Sequence, residues 1–307
     1  MSKVVILLST YNGISYLRDQ IDSILNQKDV DIHLVIRDDG SSDDTCEILK
    51  MYASKYSNIS LLIENNVGCE KSFESLYKYV HKNCQADYYA FADQDDVWFP
   101  EKLSRSIAVL EKESKPALFC CNQIITDESL TPLHIMIQER DFKHMEEVLS
   151  INYLKNRHGC TMVWNHALME VLGESTHQPC YTPGHDKWLM LLARCAGRVI
   201  VSSEALQYYR VHSSNTSGYA TGILNKLKKG IKYYWLKDQY NPLYVQDCFS
   251  SIAKLEGDRY GISYLMDVEK YKKNIFKRFK VAFSPQIWSE SVNEGIIHSI
   301  AVLIGKY

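Results

Sequence analysis

Apolar and polar positions switch between two periods along the first 120 or so residues, and the switching predicts the fold. Val4, Val5, Ile6, Leu7 and Leu8 form an unbroken aliphatic run. Such a run predicts a strand covered on both faces. Leu17, Ile21, Ile24 and Leu25 then recur at helical spacing. The same alternation predicts strands over 32–36, 59–63, 88–92 and 117–121, and helices over 43–54, 72–81 and 101–113. Strands separated by helical stretches of about 10–15 residues imply crossover connections and a mostly parallel sheet. Beyond residue 141 the pattern loosens. Residues 159–164 read as a strand, 184–195 as a helix, and 199–203 and 205–209 as extended segments. From 224 onward, stretches such as KLKKGIKYYWLK and YKKNIFKRFK read as helices outside the main sheet.

Three polar clusters each follow a strand directly: Thr10-Tyr11-Asn12, Asp38-Asp39, and Asp93-Gln94-Asp95-Asp96. Ligands of parallel sheets bind at the carboxyl ends of the strands, so three separate segments deliver polar groups to one edge. In the last cluster Asp93 and Asp95 are two apart on an extended run, which points them the same way. Bunched carboxylates repel unless a cation lies between them, and hard divalent ions such as Mg²⁺ or Mn²⁺ take oxygen ligands of this kind. A plainer alternative is that Asp96 caps a helix starting near Pro100. Asp43 and Asp44 read as a helix N-terminus, and Trp98 and Phe99 as packing beneath the carboxylate loop.

A hydrophobic content of 46% with 23% charged residues describes an ordinary globular protein. The net charge of -2 speaks against a general nucleic-acid binder. The charge is uneven: 21 Lys and Arg stand against 29 Asp and Glu over 1–223, and 13 against 6 over 224–281, giving -8 and then +7. Nine scattered cysteines lack zinc spacing. Their odd number, with a start that runs directly into a strand, leads to the expectation of a reducing cytosol. No apolar stretch approaches the roughly 18 residues of a membrane span.

The runs ILLSTYNGISYLRDQIDSILNQ, IRDDGSSDDT, ENNVG, FADQDDVW, HGCTMVW, HDKW and YRVHSSNTSG occur in that order between residues 3 and 218. In them the chain resembles the inverting nucleotide-sugar glycosyltransferases of family 2. FADQDDVW, GCTM and the HD-x-W segment together are most similar to the bacterial rhamnosyltransferase-like branch, which builds surface polysaccharides. The resemblance implies a GT-A fold, an α/β architecture with a Rossmann-like, mostly parallel sheet flanked by helices. The catalytic domain would span 1–222, its nucleotide half about 1–122 and its acceptor half about 123–222. Residues 223–307 would be a C-terminal basic and aromatic helical extension.

Residue by residue, the resemblance implies that Thr10 and Asp39 contact the donor base and ribose, with Asp38 ordering their loop. Asp95 would ligate the divalent metal, Mn²⁺ or Mg²⁺, and Asp93 would contact ribose or the metal through water. Asp186 matches the catalytic base, although His185 precedes it where many members carry Glu. Its plainer reading is a helix N-terminal charge. His212 is a late metal ligand or a surface loop residue, and Arg210 meets the diphosphate. Lys71 contacts the donor or is an exposed helix-start lysine. Trp188 and His185 are implied as acceptor contacts, Trp188 by stacking on a sugar, unless that ring belongs to the core. The partners implied are a nucleoside-diphosphate sugar and a saccharide or lipid-linked acceptor, with no nucleic acid. A deoxythymidine-diphosphate-rhamnose donor is the first expectation and a uridine-diphosphate hexose the second. A sugar nucleotidyltransferase would need a basic Gly-rich loop after the first strand, and STYNG carries no Lys or Arg. A saccharide-binding module has no need of both Asp95 and Asp186. The basic tail, with Lys228, Lys229 and Lys232 beside Tyr233, Tyr234 and Trp235, reads as a solvated face, an oligomer contact, or a peripheral contact with an anionic bilayer at the cytoplasmic side.

Overall fold

The computed structural model describes residues 1–136, 157–175, 184–213, 215, 270–284, 296, 299, 300 and 302–305. The first strand, β1 (Ser2–Thr10), is followed by α1 (Leu17–Leu25), β2 (Val30–Asp38), α2 (Thr45–Lys55), β3 (Ile59–Ile63), α3 (Cys69–Asn83) and β4 (Tyr88–Ala92). These four strands pair in parallel in the order β3-β2-β1-β4. The order reverses direction at β1, and the crevice beside such a switch is where doubly wound sheets hold ligands.

Val4 to Leu8 are at most 1% exposed, as an unbroken apolar run demands. Strand alternation splits them. Val4, Ile6 and Leu8 join the apolar layer with Ile21 of α1, Leu49 of α2 and Leu103 of α4 (Lys102–Leu110). Val5 and Leu7 join the opposite layer with Phe73, Leu76 and Tyr77 of α3. Two cores on two faces are what fix the register of a fully buried strand.

Beyond β4 the sheet becomes mixed. The two-residue β5 (Val97–Trp98) precedes α4, and β6 (Ala117–Thr126) and β7 (Pro132–Ile135) follow it. A 3₁₀ turn (Gly159–Thr161) leads into β8 (Met162–Asn165), α5 (His166–Glu174), α6 (His185–Ala196) and β9 (Arg198–Arg210). β8 lies antiparallel between β4 and β6, β9 runs parallel to β6, and β5 closes the edge antiparallel to β9. The sheet expected to be mostly parallel is so over β1–β4 and the β6–β9 pair, with short antiparallel ladders at β5, β7 and β8. Residues 198–210, expected as two extended segments, form one strand whose pairing with β6 shifts register at two points.

Of the C-terminal region, a 3₁₀ turn (Tyr271–Lys273) and α7 (Ile275–Ala282) fall among the described residues. Tyr271, Val281, Ala282 and Val302 are buried in the same apolar layer as α3 and α6. KLKKGIKYYWLK, with Lys228, Lys229 and Lys232, lies outside the described residues.

Candidate active site

The three strand-end clusters meet. Gln94 accepts from Tyr11 N at 2.8 Å and donates to Tyr11 O at 3.0 Å, which ties the loop after β4 to the loop after β1. A Cβ on Gly13 would overlap Gln94 Oε1, so this closure needs glycine there. Asn12, at a positive φ of 48°, accepts from Ser42 N at 2.8 Å, and Ser41 Oγ accepts from Asn12 N at 2.9 Å. Those bonds tie the β1 loop to the β2 loop. Convergence inferred from strand order is here carried by hydrogen bonds.

Within the β2 loop the two aspartates have different duties. Asp38 is fully buried and accepts from Thr10 Oγ1 at 2.9 Å, Ser41 N at 2.8 Å and Ser41 Oγ at 2.6 Å. It orders the loop, and Thr10 is its partner. Asp39 pairs with buried Arg37 at 2.5 Å and accepts from Val67 N and Gly68 N, each at 2.9 Å. Its carboxylate thereby pins the ENNVG segment that leads into α3. Lys71, on the first turn of α3, is exposed.

The carboxylates after β4 divide by depth. Asp95 is half-buried, and its Oδ2 lies 2.9 Å from His212 Nε2. His212 is itself covered by Tyr16, ring to ring at 4.8 Å. The two residues proposed as metal ligands from different ends of the chain are therefore side by side. Asp96 is fully buried and caps no helix; it accepts from Gln207 Nε2 at 3.2 Å. Ligand atoms of Asp93, Asp96 and Cys160 lie within 4.8 Å of one another. Burial, and then the charge of Asp95, push Asp93 up to about 7. The charge of Asp186 adds a smaller rise. Burial with Asp96 and Asp93 nearby holds the Cys160 thiol well above its usual range, so it stays neutral.

Asp186 stands in the first turn of α6, after Gly184 at a φ of 104°, and its Oδ1 accepts from Lys187 N at 2.7 Å. A Cβ on Gly159 would sit 3.4 Å from Asp186 Cβ, so the 159–161 turn lies directly against it. Burial pushes His158, just before that turn, down to about 4, and Gln123 Nε2 faces its Nδ1 at 2.8 Å.

Three expected contacts are placed elsewhere. Trp188 is fully buried, and its indole N–H donates to Ser175 Oγ at 2.9 Å, which leaves no open ring face for a sugar. His185 is buried, stacked on Phe73 at 3.7 Å and edge-on to Phe91 at 4.8 Å. Both are core residues of α6 rather than acceptor contacts. Arg210 is 4% exposed, and its guanidinium donates to Asp95 O, Glu128 O and Asp19 Oδ2 at 3.1, 2.6 and 2.8 Å. It braces the carboxylate loop, in place of the expected diphosphate contact.

A family model, glycosyl transferase family 2, matches residues 5–172, more than half of the chain. The chain belongs to that family. This glycosyltransferase is 29% identical over 231 residues to an uncharacterised glycosyltransferase of Rickettsia typhi, covering 74% of this chain and 68% of the relative. It is 40% identical over 106 residues to the dTDP-rhamnosyl transferase RfbG of Shigella flexneri, covering 34% and 36%. Among solved structures it is similar to TarS 1-349 of S. aureus in complex with UDP-GlcNAc, with a TM-score of 0.61 at 17% identity and coverage of 99% and 89%. It is also similar to the mannosyltransferase PcManGT of Pyrobaculum calidifontis in complex with GDP-Man and Mn²⁺, with a TM-score of 0.52, 15% identity and coverage of 99% and 88%. The architecture is accordingly the GT-A fold. Among the described residues, no helix is long and apolar enough to cross a membrane.

The donor set fits a hard divalent ion. Carboxylates of Asp93, Asp95 and Asp96 crowd one strand end, and burial, with the charge of Asp95 second, raises Asp93, a cost that a bound cation would relieve. Sequence reasoning gave Asp96 a place in the cluster or a capping role and assigned none to Gln94, Gln207 and Lys102, which act inside the site's frame. Signal for Gln94 lay in its position between the aspartates. Buried Lys102 and Gln207 gave none.

Proposed function

We propose that this glycosyltransferase is an inverting enzyme that moves a sugar, rhamnose in the first instance, from a nucleoside-diphosphate donor to a saccharide or lipid-linked acceptor during surface-polysaccharide synthesis. The observation that carries the reading is the joining of three strand-end loops beside Asp93 and Asp95, with Asp186 against the 159–161 turn whose Cys160 thiol lies by Asp93 and Asp96. Asp95 and Asp93, with His212, would hold Mn²⁺ or Mg²⁺. Bound there, the ion would supply Lewis-acid stabilisation of the negative charge on the departing diphosphate. The chain's own contribution is positional. Asp186 would accept a hydrogen bond from the acceptor hydroxyl and take its proton as that oxygen attacks the anomeric carbon. Thr10 and the 65–68 segment held by Asp39 would border the nucleoside.

The relation to RfbG over 106 residues supports rhamnose. A second reading, a uridine-diphosphate hexose, is favoured by the likeness to a TarS structure that holds UDP-GlcNAc. Donor hydrolysis measured with dTDP-rhamnose, UDP-hexoses and GDP-mannose, each with and without Mn²⁺, separates the two. Turnover of no sugar nucleotide, or full turnover in chelator, would refute the proposal in its general or its metal-dependent form. Residues 223–307, apart from Tyr271, Val281, Ala282 and Val302 that complete the core, are assigned to peripheral membrane contact at the cytoplasmic face or to self-association. Vesicle sedimentation and light scattering of the full chain test that part.

A further inference from the structure

Beneath the carboxylate loop lies a cation that no part of this scheme uses. Lys102 is fully buried at the first position of α4. Two costs attend it there: an ammonium out of water, and a positive charge at the positive end of a helix. Its Nζ donates to Cys160 O at 2.5 Å and to Gln207 Oε1 at 2.6 Å, and it lies 3.5 Å from the centre of the Trp98 ring. Gln207, also fully buried, hands the connection on, since its Nε2 donates to Asp96 Oδ2 at 3.2 Å. Cys160 belongs to the turn that abuts Asp186.

We infer that Lys102 is a positioning residue: through Gln207 and the Cys160 carbonyl it locks the Asp93–Asp96 loop, the 159–161 turn beside Asp186 and strand β9 into one frame. A buried charged network contributes little to stability beyond what well-packed apolar groups in its place would give. Its retention in so costly a place is explained by the three segments that it joins. The metal-binding consequence rests on the function proposed above, whereas the locking itself does not.

Lys102→Met keeps the chain length and the contact with Trp98, and Gln207→Leu keeps the ammonium but cuts the link to Asp96. Hydrogen exchange on the metal-free protein tests the lock directly. Lys102→Met leaves two buried acceptors without their donor and lowers the melting temperature; exchange in 93–96 and in 159–161 should rise together beyond the increase shared by the rest of the core. Faster exchange confined to α4 would overturn the inference. Binding of Mn²⁺ in the presence of UDP or dTDP, followed by the electron-spin resonance of free Mn²⁺, gives the second readout. Supporting shells of metal ligands are worth about 10–100-fold in affinity, and both variants should lose that much. The double variant should lose no more than either single one. Mn²⁺ binding that is unchanged or tighter in Lys102→Met would mean that the ammonium acts only as a nearby charge, and overturns the inference. Should the parent protein bind no Mn²⁺ with either nucleotide, the metal part of the proposed function fails, while the exchange experiment still decides the lock.

Discussion

Asp39→Asn separates two accounts of one residue. If Asp39 serves chiefly to contact the donor, the variant keeps its stability and loses nucleotide affinity. The structure gives it a heavier duty. Asp39 and Arg37 are 3% and 2% exposed at the side chain and pair at 2.5 Å. Breaking a buried pair by removing one charge costs about 3–5 kcal/mol, because the survivor is left uncompensated. Arg37 retains Glu64 at 3.0 Å, Ser72 Oγ at 2.8 Å and Asn65 O at 3.1 Å, which places the loss at the low end, about 3 kcal/mol. An asparagine oxygen also replaces only one of the two acceptors that hold Val67 N and Gly68 N. Gly68 is exposed, so water takes up the orphaned N–H at small cost. Guanidinium unfolding of the parent and variant gives the difference. Glu64→Gln is the control: Glu64 is half exposed, and its pair should be worth under about 1 kcal/mol. A loss below about 1 kcal/mol for Asp39→Asn would refute the claim that the pair fixes the loop ahead of α3.

Asp95→Asn should retain the fold and lose most Mn²⁺-dependent donor turnover, as read by nucleotide release, since an amide carries no charge to the ion. Asp186→Asn should lower transfer by about two to four orders of magnitude while calorimetry finds donor affinity nearly intact; equal losses in both would move Asp186 out of the base role. Trp188→Ala should cost about 3–5 kcal/mol in unfolding experiments, the range for emptying a fully buried large aromatic site. For His158, burial lowers the folded-state value from 6.5 to about 4, so the unfolded chain takes up the proton first as pH falls. Its contribution is complete above about pH 6.5 and is lost between 6.5 and 4. Unfolding free energies at pH 7.5 and 5 should differ by about 2 kcal/mol more in the parent than in His158→Gln.

The parts legible in the sequence are those where one local rule settles the structure. Val4 to Leu8 leave no polar face, so they read as a strand covered on both sides and are one. Leu17, Ile21 and Ile24 mark α1 by spacing alone, and all three are fully buried. The missed elements have weak local signals. Strand β5 is two residues long, β7 exposes all four of its residues, and α5 begins at once after β8. Asp93 and Asp95 stand out as paired carboxylates after a strand, whereas Asp186 stands out only through the family resemblance, since a carboxylate at a helix start is common. Trp188 and Arg210 carried equally suggestive chemistry and went the other way. An aromatic ring or a guanidinium has as much to gain from a buried partner as from a ligand, and only the fold decides which is nearer.

Lys102 is the converse case. Nothing in WFPEKL distinguishes that lysine from a surface one, since its meaning arises from Cys160 and Gln207, 58 and 105 residues away. Charges that act through a frame are invisible to motif reading for that reason. The carboxylates after β4 are displayed by their own strand, but the groups that reach them through Lys102 and Gln207 come from β9 and the 159–161 turn. In a sheet that is parallel in its first half and mixed in its second, those supports are necessarily remote in sequence. A buried lysine or glutamine that touches both halves is therefore where positioning residues are to be sought in this fold.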